Sequence, residues 1–235
     1  MMIEEQVRSR GLGWFAADSP QLQAEAVVTR IVLLLNEAIE QRGHASLALS
    51  GGRGPELFLR RLEQIQLDWE KVTITQVDER WVPPEHEQSN AALIQRCMPQ
   101  VLQRATWLPF YQGWSLQADA QHCHSMLKTL MPVDVVVLGM GQDGHTASLF
   151  PYMPKLADYL SEQAAELCIA APETAERLSR LSMTAAVINK AHNKILVVSG
   201  EDKRQQLATA LETSDPLARP ITAFLTPSMD IFYSP

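Results

Sequence analysis

Apolar positions recur at two spacings along this chain. Between residues 20 and 41, Ala24, Val27, Val28, Ile31, Leu34, Leu35, Ala38 and Ile39 fall three and four apart, which predicts an amphipathic helix. Ser19 is placed to cap it, Pro20 to occupy its first position and Gly43 to end it. Short apolar runs follow, each answered by another helical pattern. They predict strands at residues 45–49, 72–77, 133–138, 167–171, 195–199 and 221–225. Helices are predicted at about 55–64, from Ser89, at 115–131 and at 201–212. Near-continuous apolar strands alternating with helices imply an α/β fold: a single-domain (residues 1–235), open, mainly parallel sheet with helices on both faces. Such sheets bind ligands beyond the carboxyl ends of their strands, so motifs that follow strands are the candidates for chemistry.

Three motifs do so. The turn Ser50-Gly51-Gly52-Arg53-Gly54-Pro55 joins a strand to a helix. Its glycines let backbone N–H groups approach an anion, and Arg53 adds a forked, permanently charged donor. An ordinary strand-to-helix turn is the plainer reading of Gly-Gly alone. The loop Asp78-Glu79-Arg80-Trp81-Val82-Pro83 puts two acids and an arginine after a strand, suited to sugar hydroxyls or phosphate or simply to a solvated ion pair. Ser89-Asn90 reads most simply as a helix cap.

The third motif, Leu138 to Thr146, contains a G-x-G-x-x-G in Gly139, Gly141 and Gly144. A dinucleotide site is disfavoured: Asp143 would repel a pyrophosphate, Pro151 and Pro154 interrupt the helix that should follow, and no acid about 20 residues on ends a second strand. The loop does supply Asp143 and His145 two residues apart, and a carboxylate there can orient an imidazole and raise its basicity, directly or through water. No G-x-S-x-G elbow is present, and Ser148 is expected in a helix, so direct attack by water is simpler than a serine nucleophile. His122-Cys123-His124 spreads its side chains over different helix faces, and no metal site is expected.

Composition narrows the partners. A net charge of −7 and a pI of about 5.4 argue against nucleic acid or an anionic membrane as partner, while leaving room for a local basic pocket. Cys97, Cys123 and Cys168 are scattered and odd in number, as expected of free thiols in a reducing compartment. Glu4, Glu5, Arg8 and Arg10 are unlike a signal peptide, and no apolar run approaches the ~20 residues of a membrane span. A cytoplasmic protein, monomeric or weakly self-associating, is expected.

In order along the chain, Ser50-Gly51-Gly52, Asp78-Glu79-Arg80-x-Val82-Pro83 with Ser89-Asn90, and Leu138 through Pro151 resemble the 6-phosphogluconolactonase family. Arg180-Leu181-Ser182-Met183-Thr184 is similar to that family's Arg-x-Thr-x-Thr segment, and Gly200-Glu201-Asp202-Lys203 to its late Gly-x-x-Lys. The resemblance covers roughly residues 20–212. It implies the modified Rossmann-like fold shared with glucosamine-6-phosphate isomerases and hydrolysis of 6-phospho-D-glucono-1,5-lactone without a metal or organic cofactor. By motif position His145 would be the base and Asp143 its aid. Ser50, Gly51, Gly52, Arg53, Asp78, Arg180 and Lys203 would bind the substrate and its phosphate, and Arg80 would meet either phosphate or the developing oxyanion.

Related isomerases carry a ring-opening glutamate five residues after this histidine, where this chain has Phe150, and that difference disfavours isomerisation and deamination. A sugar-phosphate sensor that had lost the base is the remaining rival, yet Asp143 and His145 are both present. Two departures stand out. Arg53-Gly54 replaces the family's usual Ser-Thr, and the expected terminal helix is reduced to Met229-Asp230-Ile231-Phe232-Tyr233.

Overall fold

A computed structural model describes residues 3–52 and 54–235, and its elements largely follow the apolar periodicity. The helices are α1 (Ile3–Ser9), α2 (Pro20–Arg42), α3 (Glu56–Leu62), α4 (Asn90–Cys97), α5 (Pro99–Arg104), α6 (Leu116–Leu130), α7 (Leu156–Tyr159), α8 (Ala185–Ile188) and α9 (Glu201–Thr213). The strands are β1 (Gly13–Ala16), β2 (Ala45–Leu49), β3 (Val72–Gln76), β4 (Asp78–Arg80), β5 (Thr106–Leu108), β6 (Val135–Gly139), β7 (Cys168–Ala171), β8 (Arg180–Met183), β9 (Asn193–Ser199) and β10 (Met229–Ser234). At α2 the expected punctuation is realised. Ser19 Oγ accepts the Leu22 N–H at 3.3 Å, and Gly43, at φ 78°, donates its N–H to Ile39 O at 2.8 Å.

Seven strands form one parallel sheet in the order β1-β10-β9-β6-β2-β3-β5. Side chains alternate across it. Leu47, Leu49, Val135 and Val137 pack with Val27, Ile31 and Leu35 of α2, whereas Ala48, Val136 and Leu138 face the opposite layer with Leu127 and Leu207. Both faces are therefore dry, which is why these strands read as unbroken apolar runs. From β2 the chain runs through β3 to β5 on one side, and β6, β9 and β10 build out on the other. The reversal leaves a crevice at the carboxyl ends of β2 and β6, where connections diverge and a ligand can enter between them.

Several expectations are corrected. Residues 167–171 do form a strand, but it belongs to a small antiparallel sheet, β4-β8-β7, at the carboxyl side of the main one. Asp78-Glu79-Arg80 is strand β4 rather than loop; its polar composition hid it, because side chains that find partners can be buried in a strand. Residues 220–224 form a 3-10 turn instead of the predicted strand. Pro220 opens it with its fixed φ, and Ile221 and Phe224, three apart, both enter the core. The segment 229–233, expected as a helix remnant, is instead β10, paired in parallel with β9 and β1. Ser148 lies in a turn, with Ala147 at φ 51° and a bridge between Thr146 and Leu149, so no helix passes through it.

Candidate active site

The connection after β6 folds back on itself. Gly141 N–H donates to His145 O at 2.9 Å, Gly144 N–H to Gly141 O at 3.1 Å, and Thr146 Oγ1 to Gly139 O at 2.8 Å. The His145 ring packs directly on Gly141, so that any side chain there would occupy the imidazole's place. Asp143 Oδ1 accepts the His145 backbone N–H at 3.2 Å and lies 2.5 Å from Nδ1. The contact is direct, with no bridging water required. A carboxylate on Nδ1 selects the tautomer whose proton sits there and leaves the Nε2 lone pair for proton transfer. Burial raises the cost of charge on Asp143, but the hydrogen bond and charge of His145 outweigh it and hold the carboxyl below its ordinary range.

A cleft of about 220 Å³ opens at the crevice between β2 and β6. Ser50, Gly51, Gly52, Asp78, Arg80, His145, Arg180 and Lys203, each chosen from the sequence, all line it. Asp143 supports the cleft from behind His145, and Arg53 lies outside the described residues. Arg80 and Arg180 are paired directly across β4 and β8. Like charges placed opposite each other repel, and Asp78 Oδ2 lies 3.9 Å from Arg180 Nη1. Burial, then the Arg80 charge, lower the affinity of the Arg180 guanidinium for its proton. Burial also pushes the Lys203 amine below its ordinary value. Ser50 Oγ, Arg80 Nε and Arg180 Nε are buried with no hydrogen-bond partner among the described residues. A cleft with surplus cations and unpaired donors is built for an anion.

Behind that wall the acids of β4 hold the structure together. Glu79 is completely buried and accepts five hydrogen bonds: from Arg80 N, Asn90 N, Ala91 N, Gln76 Nε2 and Ser89 Oγ, at 2.7–3.2 Å. Burial nonetheless raises its carboxyl above the ordinary range. Asp78 Oδ2 accepts Ser148 Oγ at 2.6 Å. With its hydroxyl buried and committed in this way, Ser148 is no nucleophile.

Two polar lining residues have no ligand role in the sequence reading above. Asn90 reads there as part of a helix cap and of the resembling motif, with no role of its own, but Ser89 is the cap. Asn90 Nδ2 donates to Asp78 O at 2.9 Å, and its side chain fills the space that makes Gly51 necessary. No local signal links residues twelve apart. Ser199, which closes the apolar run of β9, is within reach of the same strand-end rule that finds the others. Among the described residues no cluster of three metal-ligating side chains occurs. His124 Nδ1 accepts the Leu167 N–H, His122 packs edge-on to Trp114, and Cys123 is in the core, so the three do not converge.

Fold and cleft together define a parallel α/β protein whose switch-point cleft sets Arg80, Arg180 and Lys203 beside a carboxylate-oriented histidine. Comparison with known proteins narrows the class. The family described as glucosamine-6-phosphate isomerases/6-phosphogluconolactonase matches residues 18–232. The chain is 35% identical over 238 residues to a 6-phosphogluconolactonase of Pseudomonas aeruginosa, covering 100% of each. It is 41% identical over 203 residues to one from Pseudomonas putida, covering 86% of this chain and 84% of the other. The crystal structure of a 6-phosphogluconolactonase from Shewanella baltica superposes with a TM-score of 0.87 at 33% identity, over 95% of this chain and 98% of that one. This chain belongs to the glucosamine-6-phosphate isomerase/6-phosphogluconolactonase family.

Proposed function

We propose that the chain is a 6-phosphogluconolactonase, opening 6-phospho-D-glucono-1,5-lactone to 6-phosphogluconate in the oxidative pentose phosphate pathway by general-base activation of water. The observation that carries this reading is the 2.5 Å contact between Asp143 and His145 Nδ1, with the ring set in the cleft that also holds Arg80, Arg180 and Lys203. Arg180 and Lys203, with the turn Ser50-Gly51-Gly52, hold the phosphate, and Arg53, next in sequence, adds its charge to that set. Nε2 of His145 takes a proton from a water attacking C1. The charge of Arg80 stabilises the tetrahedral oxyanion, Asp78 orders the arginine wall, and the C1–ring oxygen bond breaks as the ring oxygen takes the proton back from the His145 imidazolium and leaves as the 5-hydroxyl. General-base assistance is worth ~10²–10⁴-fold, and a positioned oxyanion donor adds a comparable factor.

The reading extends to a single lactonase domain over residues 1–235, working in the cytoplasm as a monomer or weak homo-oligomer, with no nucleic-acid or membrane partner. Among the described residues no helix is long and apolar enough to cross a membrane. Phe150 stands where a ring-opening carboxylate would be needed for isomerisation. The test is lactone hydrolysis followed against the spontaneous background, beside incubation with glucosamine 6-phosphate. Accelerated hydrolysis without ammonia release is expected; ammonia release would point to the deaminase branch. Thermal stabilisation by 6-phosphogluconate without any lactonase activity would make the chain a sensor instead.

A further inference from the structure

Asp143 tethers the imidazole of His145 at one nitrogen only, and the Asp143 side chain is itself half exposed. Gly141 supports one side of the ring. A second support comes from Phe150, 7% exposed, whose ring centre lies 4.6 Å from that of His145 at an interplanar angle of 45°. The same phenyl ring meets two guanidinium groups. Cζ of Arg177 lies 4.1 Å from its centre and Cζ of Arg180 5.7 Å. Arg177 comes from the connection between β7 and β8, where a tight turn is closed by two backbone bonds, Thr174 N–H to Arg177 O at 2.9 Å and Arg177 N–H to Thr174 O at 3.3 Å. Among the described residues its guanidinium makes no ion pair or hydrogen bond, so the aromatic face is what holds it.

One apolar ring thus touches the proposed base, a cation of the anion-binding wall and a cation of the overlying turn. A phenyl ring is well suited to this position. Its negative face attracts both guanidinium groups, yet it neither titrates nor competes with an incoming anion for their hydrogen bonds.

We propose that Phe150 is a positioning residue for lactone hydrolysis: held in place by Arg177, its ring fixes the His145 imidazole relative to Arg180. This inference rests on the lactonase reading. General-base catalysis is sensitive to such placement, because an error near 1 Å can cost about a hundredfold in rate.

The test is steady-state lactone hydrolysis by wild type, His145→Ala, Phe150→Leu, Phe150→Tyr, Arg177→Met and the Phe150→Leu/Arg177→Met pair. Phe150→Leu is expected to lower kcat roughly tenfold with KM within about twofold, because alignment rather than binding is lost. Phe150→Tyr keeps the aromatic face and should restore kcat. Arg177→Met should lower kcat about threefold in the wild type, and add nothing in the Phe150→Leu background, since it acts through the ring. A wild-type kcat in Phe150→Leu, an equal loss in Phe150→Tyr, or additive losses in the pair would overturn the proposal. If Phe150→Leu does not fold, Arg177→Met in the largely exposed turn decides alone, and an unchanged kcat there refutes it. A wild-type protein with no activity above background defeats the lactonase reading itself. Active wild type and inactive His145→Ala, with Phe150→Leu at full rate, defeats only the positioning role.

Discussion

The two ends of the parallel sheet carry polar clusters of opposite character. At the amino end, Asp134 precedes β6 and accepts Ser46 N–H at 2.7 Å, Ser46 Oγ at 2.9 Å and Arg42. Lys194, 1% exposed at the start of β9, donates to Asn189 Oδ1 and Thr226 Oγ1. None of these buried side-chain atoms lacks a partner. At the carboxyl end, Arg80 and Arg180 face each other with Asp78 Oδ2 3.9 Å from Arg180 Nη1, and among the described residues Ser50 Oγ and both arginine Nε atoms have no partner. The first cluster is complete and serves the fold. The second leaves buried donors without a partner among the described residues, a cost that an acceptor placed in the cleft would offset. Polarity and burial alone do not separate a structural cluster from a functional one; satisfaction does.

The contrast can be broken in four ways, beginning with the largest effect. His145→Ala should lower kcat by ~10²–10⁴-fold with an unchanged melting midpoint; near-normal turnover would remove His145 from the role of base. Asp134→Ala leaves Ser46 and Arg42 without their acceptor and should cost about 3 kcal/mol in denaturant unfolding, with kcat unaltered. A loss of turnover at full stability would show the amino end to be functional after all. Arg180→Ala should raise KM roughly tenfold or more through lost charge-assisted contacts. It should destabilise the protein less than Asp134→Ala does, because its like-charged neighbour is relieved; an unchanged KM refutes the phosphate role.

The last effect concerns Lys194, whose amine burial lowers from 10.5 to about 8. The unfolded chain then holds this proton more tightly, so native stability is reduced below about pH 8 and recovers as pH rises towards 10.5. Lys194→Met should remove that rise, a change of at most about 3 kcal/mol, visible in the denaturation midpoint between those pH values. A rise that persists in the variant would assign it to another group.

Legibility along the chain follows the range of the interactions involved. α2, β2 and β6 are plain because their signals, apolar spacing and caps, lie within a few residues. β1 and β5, at four and three residues on the sheet's edges, are too short to show a pattern. The apolar run at residues 220–224 misleads because so short a stretch fits a turn of helix as well as a strand, and Pro220 settles it locally. β10 is hidden for a different reason: pairing on both sides holds it, and pairing is not written in one segment.

For the site, the residues are legible and their relations are not. The glycine turns and strand-end charges name the cleft wall, because the carboxyl edge of a parallel sheet is where such residues can meet a ligand. Asp143 and His145, two residues apart, also form a local signal. That Arg80 stands opposite Arg180, that Ser148 spends its hydroxyl on Asp78 and that Phe150 bears on both His145 and the arginines depends on segments up to about 100 residues apart meeting across a second sheet. Local chemistry chose the cast from sequence alone. Only tertiary packing decided which charges were left unpaired, because burial and partnership belong to the folded arrangement and to no single residue.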